Sequence, residues 1–250
     1  RACPVRAIEP SGKIVTAGIA LLDYFTPFSV ATGGVAFDPL ASGTTTIAAT
    51  IPGFTVVPGA SQTVTISAPA IFLNVGPRVG SGLQSGANGG LGATDYGTVT
   101  VRVSSSNPAV ALIAPDANTV GSAFIDIPLT APSTGISYVV QGLEGVTGTV
   151  TITASAPGFT DGTTTAIVVP PGLVLANAPA TTTSLASNTA FFVQIGPLNT
   201  AGDGISQVEP LRAGGTPATV TFTNSNGAVA QLVTTSTTGQ SVTAGIALLD

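Results

Sequence analysis

Histidine, tryptophan and methionine are absent from this chain, cysteine occurs once, and only 7% of its 250 residues are charged. Each absence removes a chemistry. Without His no side chain titrates near neutrality in its ordinary state, so the usual general base is missing. Neither a Ser nor a Cys nucleophile has an imidazole partner. The 11 acidic residues are scattered singly, which does not suit the paired carboxylates of glycoside hydrolysis. Zinc is disfavoured without His or paired Cys. Calcium needs several oxygen ligands, and the loops holding Asp116 and Asn118, or Asp203, offer only one or two each, an arrangement that a turn residue bonding its own backbone explains equally. The chain is therefore expected not to be an enzyme, with no catalytic, cofactor-binding or metal-binding residues and no cofactor.

The charge balance excludes further classes. Six basic residues against 11 acidic ones, a net charge of −5, leave no electrostatic footprint for a nucleic acid. The most apolar stretch, residues 166–180, is interrupted by Pro170 and Pro171, so no membrane span is expected. Disordered segments pair low hydrophobicity with high net charge, whereas this chain is 44% hydrophobic and weakly charged. The lone Cys3 rules out an internal disulfide framework and leaves a free thiol, intermolecular pairing or lipid attachment open. Lys13 is the sole Lys, so at most one lysine isopeptide staple is available.

What the chain has in quantity is 38 Thr and 20 Ser, close to a quarter of its length, a composition nearer to β-rich extracellular proteins than to helical ones. Short alternating runs of Val, Ile and Thr at 98–103, 150–154, 166–169 and 219–222, separated by Gly, Pro and Asn clusters, read as strands of an all-β sandwich. The polar residues that face amphipathic helices are scarce.

Internal repetition is the strongest signal. GTTTIAATIPGFT at 43–55 matches GTVTITASAPGFT at 148–160 at nine of thirteen positions. SSNPAVA at 105–111 matches NSNGAVA at 224–230 at five of seven, and VGP at 75–77 returns as IGP at 195–197. VTAGIALLD occurs twice without change, at 15–23 and 242–250, an offset of 227 residues.

The SSNPAVA and GTVTITA segments, in that order, resemble the bacterial immunoglobulin-like repeats of group 2, found in tandem in surface adhesins and phage decoration proteins. The stretch between the two parts is longer here, and no Trp precedes the Ser-Ser-Asn. The resemblance implies tandem immunoglobulin-like sandwiches. With the repeats it predicts an N-terminal segment at 1–13, the C-terminal part of a module at 14–68, a complete module at 69–170, and the N-terminal part of a module at 171–250. One complete central module is thus expected between two half-modules that neighbouring copies complete.

Tandem copies in one long chain or head-to-tail subunits exchanging strands satisfy that expectation, and two half-modules of one chain folded back on each other are the third possibility. The duplicated VTAGIALLD argues against the last, because two copies cannot occupy one strand position. Residues 12–36 and 240–250 are expected at the junction, specifically Val15, Ile19, Leu21, Leu22, Tyr24, Phe25, Phe28, Val242, Ile246, Leu248 and Leu249. The expected function is an extracellular structural repeat of a fibre, filament or surface layer whose partner is itself, with contact to a cell surface or receptor open. The alternative is the stalk of a giant adhesin or a phage decoration protein.

Overall fold

A computed structural model describes residues 17–19, 24–76 and 78–247. The chain divides into two units, residues 1–67 and 68–250, and it is all-β.

In the first unit, β1 (Gly43–Ala48) and β2 (Ser61–Ile66) form an antiparallel hairpin running from Gly43↔Ile66 to Ala48↔Ser61. Its Thr-rich strands suit the extended backbone that β-branched side chains favour. Single turns of 3-10 helix lie at Val30–Thr32 and Pro58–Ala60.

The second unit opens with nine strands: β3 (Ile71–Val75), β4 (Arg78–Gly80), β5 (Gln84–Leu91), β6 (Thr98–Ser105), β7 (Ala111–Ala114), β8 (Phe124–Thr130), β9 (Gly135–Gly142), β10 (Gly148–Ser155) and β11 (Gly162–Val169). They make two sheets, one in the order β4-β11-β10-β6-β8 and the other β3-β5-β9-β7. Every pairing is antiparallel except β4 beside β11. Alternation along each strand decides which side chains go in. Val101 and Val103 of β6, Val150 and Ile152 of β10, and Ala166 and Val168 of β11 meet Ile113 of β7 and Ile136, Tyr138 and Val140 of β9 in one core. The intervening Thr149, Thr151 and Thr163 face outward. Pro128, which has no N–H for a ladder, sits in β8 at the edge of its sheet, the position a proline tolerates.

The chain continues through β12 (Pro171–Ala176), β13 (Phe192–Pro197), β14 (Ala218–Thr223), β15 (Leu232–Val233), β16 (Thr238–Gly239) and β17 (Ser241–Ile246). These form three two-stranded sheets, β12-β13, β14-β17 and β15-β16.

Tyr138 departs from good core chemistry. Its ring is buried, but its hydroxyl has no hydrogen-bond partner among the described residues, and burial pushes its pKa up to about 12. Leaving a buried polar group unmatched costs about 1–3 kcal/mol. Tyr138→Phe is therefore expected to raise the stability of the chain by about 1 kcal/mol in chemical denaturation. Ile152→Ala, which opens a void among fully buried neighbours, should lower it by about 2–5 kcal/mol. A loss of stability in the Phe variant would show that the hydroxyl is satisfied.

Candidate assembly interface

The first strand and the following turn of the β1–β2 hairpin reproduce those of β10–β11 in backbone detail. Gly43 and Gly148 open the first strands with φ of 151° and 159°, and Gly53 and Gly158 shape the following turns with φ of 84° and 82°. Those conformations strain any residue with a Cβ. Within the turns Phe54 donates its N–H to the Ile51 carbonyl at 3.0 Å and Phe159 to the Ala156 carbonyl at 3.2 Å. Positions in the first strand and the turn are 105 residues apart, as the sequence repeat requires, whereas Ile66 pairs with Gly43 as Val168 does with Gly148, an offset of 102, because the connection to β2 is three residues longer than that to β11.

A second stretch is also built twice. The side-chain oxygen of Asn107 accepts the Ala109 N–H at 3.2 Å, and that of Asn226 accepts the Ala228 N–H at 3.1 Å. The carbonyl of Asn107 accepts from Val110 and Ala111, as that of Asn226 does from Val229 and Ala230. Before each turn runs a strand, β6 or β14, that pairs with a later one, β8 or β17. Between them Ile113 bridges Ser122 just as Leu232 pairs with Gly239. Residues 218–246 thus repeat β6, β7 and β8, with a connection two residues shorter. Among the described residues, no strand of 171–247 stands where β10 and β11 stand in the nine-stranded sandwich.

Exposure shows what the two partial copies lack. Ile152 of β10 is 0% exposed, whereas Ile47, its counterpart in β1, is 45% exposed and Phe54 is 71%. Val101, Val103 and Ile113 are fully buried, whereas their counterparts Val220, Phe222 and Leu232 are half-buried. These three line a groove of about 790 Å³ together with Phe191, Val193 and Ile195. Phe191 meets Phe222 edge to face at 5.6 Å between ring centres.

The expected junction residues fall into separate places. Val242 is buried in β17 and Ile246 half-buried, and both line the groove. Tyr24, Phe25 and Phe28 belong to the first unit, where Tyr24 packs edge-on to Phe25 at 4.8 Å and Phe25 stacks on Phe28 at 4.7 Å, with Tyr24 and Phe28 largely exposed. Ile19 is exposed outside any strand. Val15, Leu21, Leu22, Leu248 and Leu249 lie outside the described residues. The sequence reading did not pick out Ile47, Val220 or Phe222. The signal was present: aligning 43–55 with 148–160 sets Ile47 on buried Ile152.

Residues 205–215 tie the groove region to the complete sandwich. The N–H of Gln84 donates to the Pro210 carbonyl at 3.1 Å, the N–H of Arg212 to the Gly82 carbonyl at 3.0 Å, and Leu211 bridges buried Leu83. Arg212 grips Glu144 through Nε at 2.9 Å and a terminal nitrogen at 2.6 Å. Behind this pair, fully buried Gln141 donates to Gln84 at 3.0 Å and to the Thr119 carbonyl at 2.9 Å, and its own carbonyl oxygen accepts the Gly121 N–H. Glu209 is buried, accepting the Gly80 N–H at 2.9 Å and the Gln207 amide at 2.6 Å. Burial raises its pKa against the opposing effect of those hydrogen bonds. A single Glu between Val208 and Pro210 gives no sign in the sequence that it is buried.

The acidic residues of the two loops weighed for calcium have local roles. Asp116 accepts the Asn118 N–H and the Thr119 hydroxyl of its own turn, at 2.8 and 2.9 Å, and these bonds hold its carboxyl below the usual range. Asp203 accepts from Asn199 at 2.8 Å. Among the described residues no three His, Cys, Asp or Glu side chains cluster as metal ligands, and no helix is long and apolar enough to cross a membrane.

The raised pKa of Glu209 means that the folded state holds this proton more tightly than the unfolded chain. The associated stability is present below the ordinary Glu value of about 4.3 and is lost as pH rises through the raised one. Glu209→Gln cannot ionise. Its melting temperature relative to the unaltered chain should climb as the pH of thermal unfolding is raised from acid to neutral. A gap that stays constant across that range would show that Glu209 does not change its proton binding on folding.

No family model matches the chain, and no curated protein matches it.

Proposed function

We propose that this chain is a non-enzymatic, extracellular structural protein, the repeating unit of a fibre, filament or surface layer whose copies join head to tail by sharing β-sandwiches. The observation that carries this reading is the pair of complementary deficits. The hairpin β1–β2 exposes an apolar face that its counterpart buries, and residues 171–246 present a groove without the strands that close its counterpart. Donor and acceptor are different parts of the chain, so each copy that accepts a hairpin still has its own to give. Such heterologous contacts build open-ended assemblies.

The low charge supports the same reading. Surfaces rich in Thr, Ser and Ala repel one another little. The duplicated VTAGIALLD also fits tandem copies within one long polypeptide, such as the stalk of an adhesin or a phage decoration protein, in which the next repeat supplies the hairpin.

Denaturing gels and electron microscopy of the protein from its source test both readings. A band that holds a single copy of the repeat, from material that forms fibres, is the expected result, and a band many times heavier assigns the copies to one polypeptide. A single-copy monomer that stays dispersed at every concentration overturns the filament. Phe222→Asp, which puts a charge into the groove wall, should suppress fibre growth at least tenfold while leaving the unfolding of the nine-stranded sandwich unchanged. An unpaired buried charge carries a large desolvation cost.

A further inference from the structure

The complete sandwich specifies how the groove would be closed. There β6 lies between β8 and β10, and its pairing with β10 runs Ile152↔Ser105, Thr153↔Ser104, Ala154↔Val103 and Ser155↔Arg102. In the partial copies β14 pairs with β17 and β1 with β2. Among the described residues the second edge of each is free. The free edge of β14 corresponds to the edge of β6 that receives β10, and the free edge of β1 to the edge of β10 that faces β6.

We infer that the groove is an acceptor for the β1–β2 hairpin of a second copy of this chain, with β1 antiparallel to β14 in the register Ile47↔Asn224, Ala48↔Thr223, Ala49↔Phe222 and Thr50↔Thr221. This inference rests on the assembly reading above and assigns its contact surface. The register follows from carrying each residue of the β10–β6 ladder to its counterpart, 105 positions back on β10 and 119 forward on β6.

Three independent features fit. The first is facing: Val150, Ile152 and Ala154 are the buried side chains of β10, so Thr45 and Ile47 of β1 and Ala49 just after it enter the groove and Thr44, Thr46 and Ala48 remain outside. The second is volume. Ala154 lies opposite Val103, and in the register above the small Ala49 lies opposite the larger Phe222.

The third is the pair of hydroxyls that lock the ladder. The Ser106 hydroxyl accepts the Thr151 N–H at 2.9 Å, and the Ser104 hydroxyl donates to the Thr153 carbonyl at 3.4 Å. Their counterparts keep a hydroxyl, Ser225 and Thr223, opposite the N–H of Thr46 and the carbonyl of Ala48. A coincidental resemblance of Thr-rich strands has no reason to preserve both. An exposed strand edge also pairs readily with another chain, and strand addition with alternate side chains seated in pockets is an established mode of recognition.

The test uses the full chain with Cys3→Ser as background and two single-cysteine variants, Ala48→Cys and Thr223→Cys. Both positions are exposed, so neither substitution disturbs a core. Oxidised together, the two variants should give a disulfide-linked heterodimer at twice 24.3 kDa. Thr46→Cys with Thr223→Cys, displaced by two residues and beyond the reach of a disulfide, should give at least tenfold less. Equal yields from both pairs overturn the register. If fibres form without the bridge at 48 and 223, the contact surface assigned here is wrong and the assembly reading survives. A monomeric protein that forms no bridge removes both. When both cysteines are placed in one chain, a ladder of covalent multimers supports a second copy as the occupant, and an internal bridge at the mass of one chain overturns it.

Discussion

Four residue pairs, from Ile152↔Ser105 to Ser155↔Arg102, join β10 to β6, and the burial of the nine-stranded core depends on that ladder. Without β10 and β11 the inward faces of β6 and β7 lose their cover. Residues 218–246 realise that situation within the same chain: the same strands and turn, with Val220, Phe222 and Leu232 left half-buried over a groove. The complementary situation is realised by β1–β2, with Ile47 exposed where Ile152 is sealed. Both states follow from one rule, that a sheet needs its edges paired and its apolar face covered.

The parts of the fold legible in the sequence are those governed by local periodicity and by backbone conformations that few residues adopt. Alternating Val, Ile and Thr announced β6, β10 and β11, since each strand has one buried face. The PGF turns were legible because a residue at positive φ must nearly always be Gly, and the Asn turns because their side chains cap their own backbone. The repeated segments could be aligned because such constraints recur with the same residue types.

The less legible features depend on distant partners. Whether Glu209 is solvated or buried is settled by Gly80, Gln207 and the sandwich wall, more than a hundred residues away in the first case. Gln141, in a strand of Val and Gly, reads as a polar interruption until the carbonyl of Thr119 and the amides of Gln84 and Gly121 surround it. Pairing of β17 with β14, two residues out of step with β8 on β6, depends on a shorter connection that no alignment of the turns alone reveals. Five of the eleven expected junction residues lie outside the described ones, whereas Ile47, Val220 and Phe222, which carry the complementary surfaces, were reachable only by transferring burial from one repeat to the other.

The nine-stranded sandwich and the two-stranded sheets differ sharply in the apolar surface they bury, and that difference bears on how such a chain would assemble. Nine strands in two sheets around a shared core are self-sufficient, whereas an isolated two-stranded hairpin is marginal at best in water. The β1–β2 hairpin and the sheets of 171–246 therefore have most to gain from apolar burial at about 25 cal/mol per Å², and in the proposed assembly they would gain it together. The complete sandwich contributes a different property. Through Leu211, the Arg212–Glu144 pair and buried Glu209 it holds one wall of the groove, so in the proposed assembly less of the acceptor would have to be ordered on binding. An acceptor held by a folded neighbour and a donor stabilised by docking would make association and completion of the fold one event.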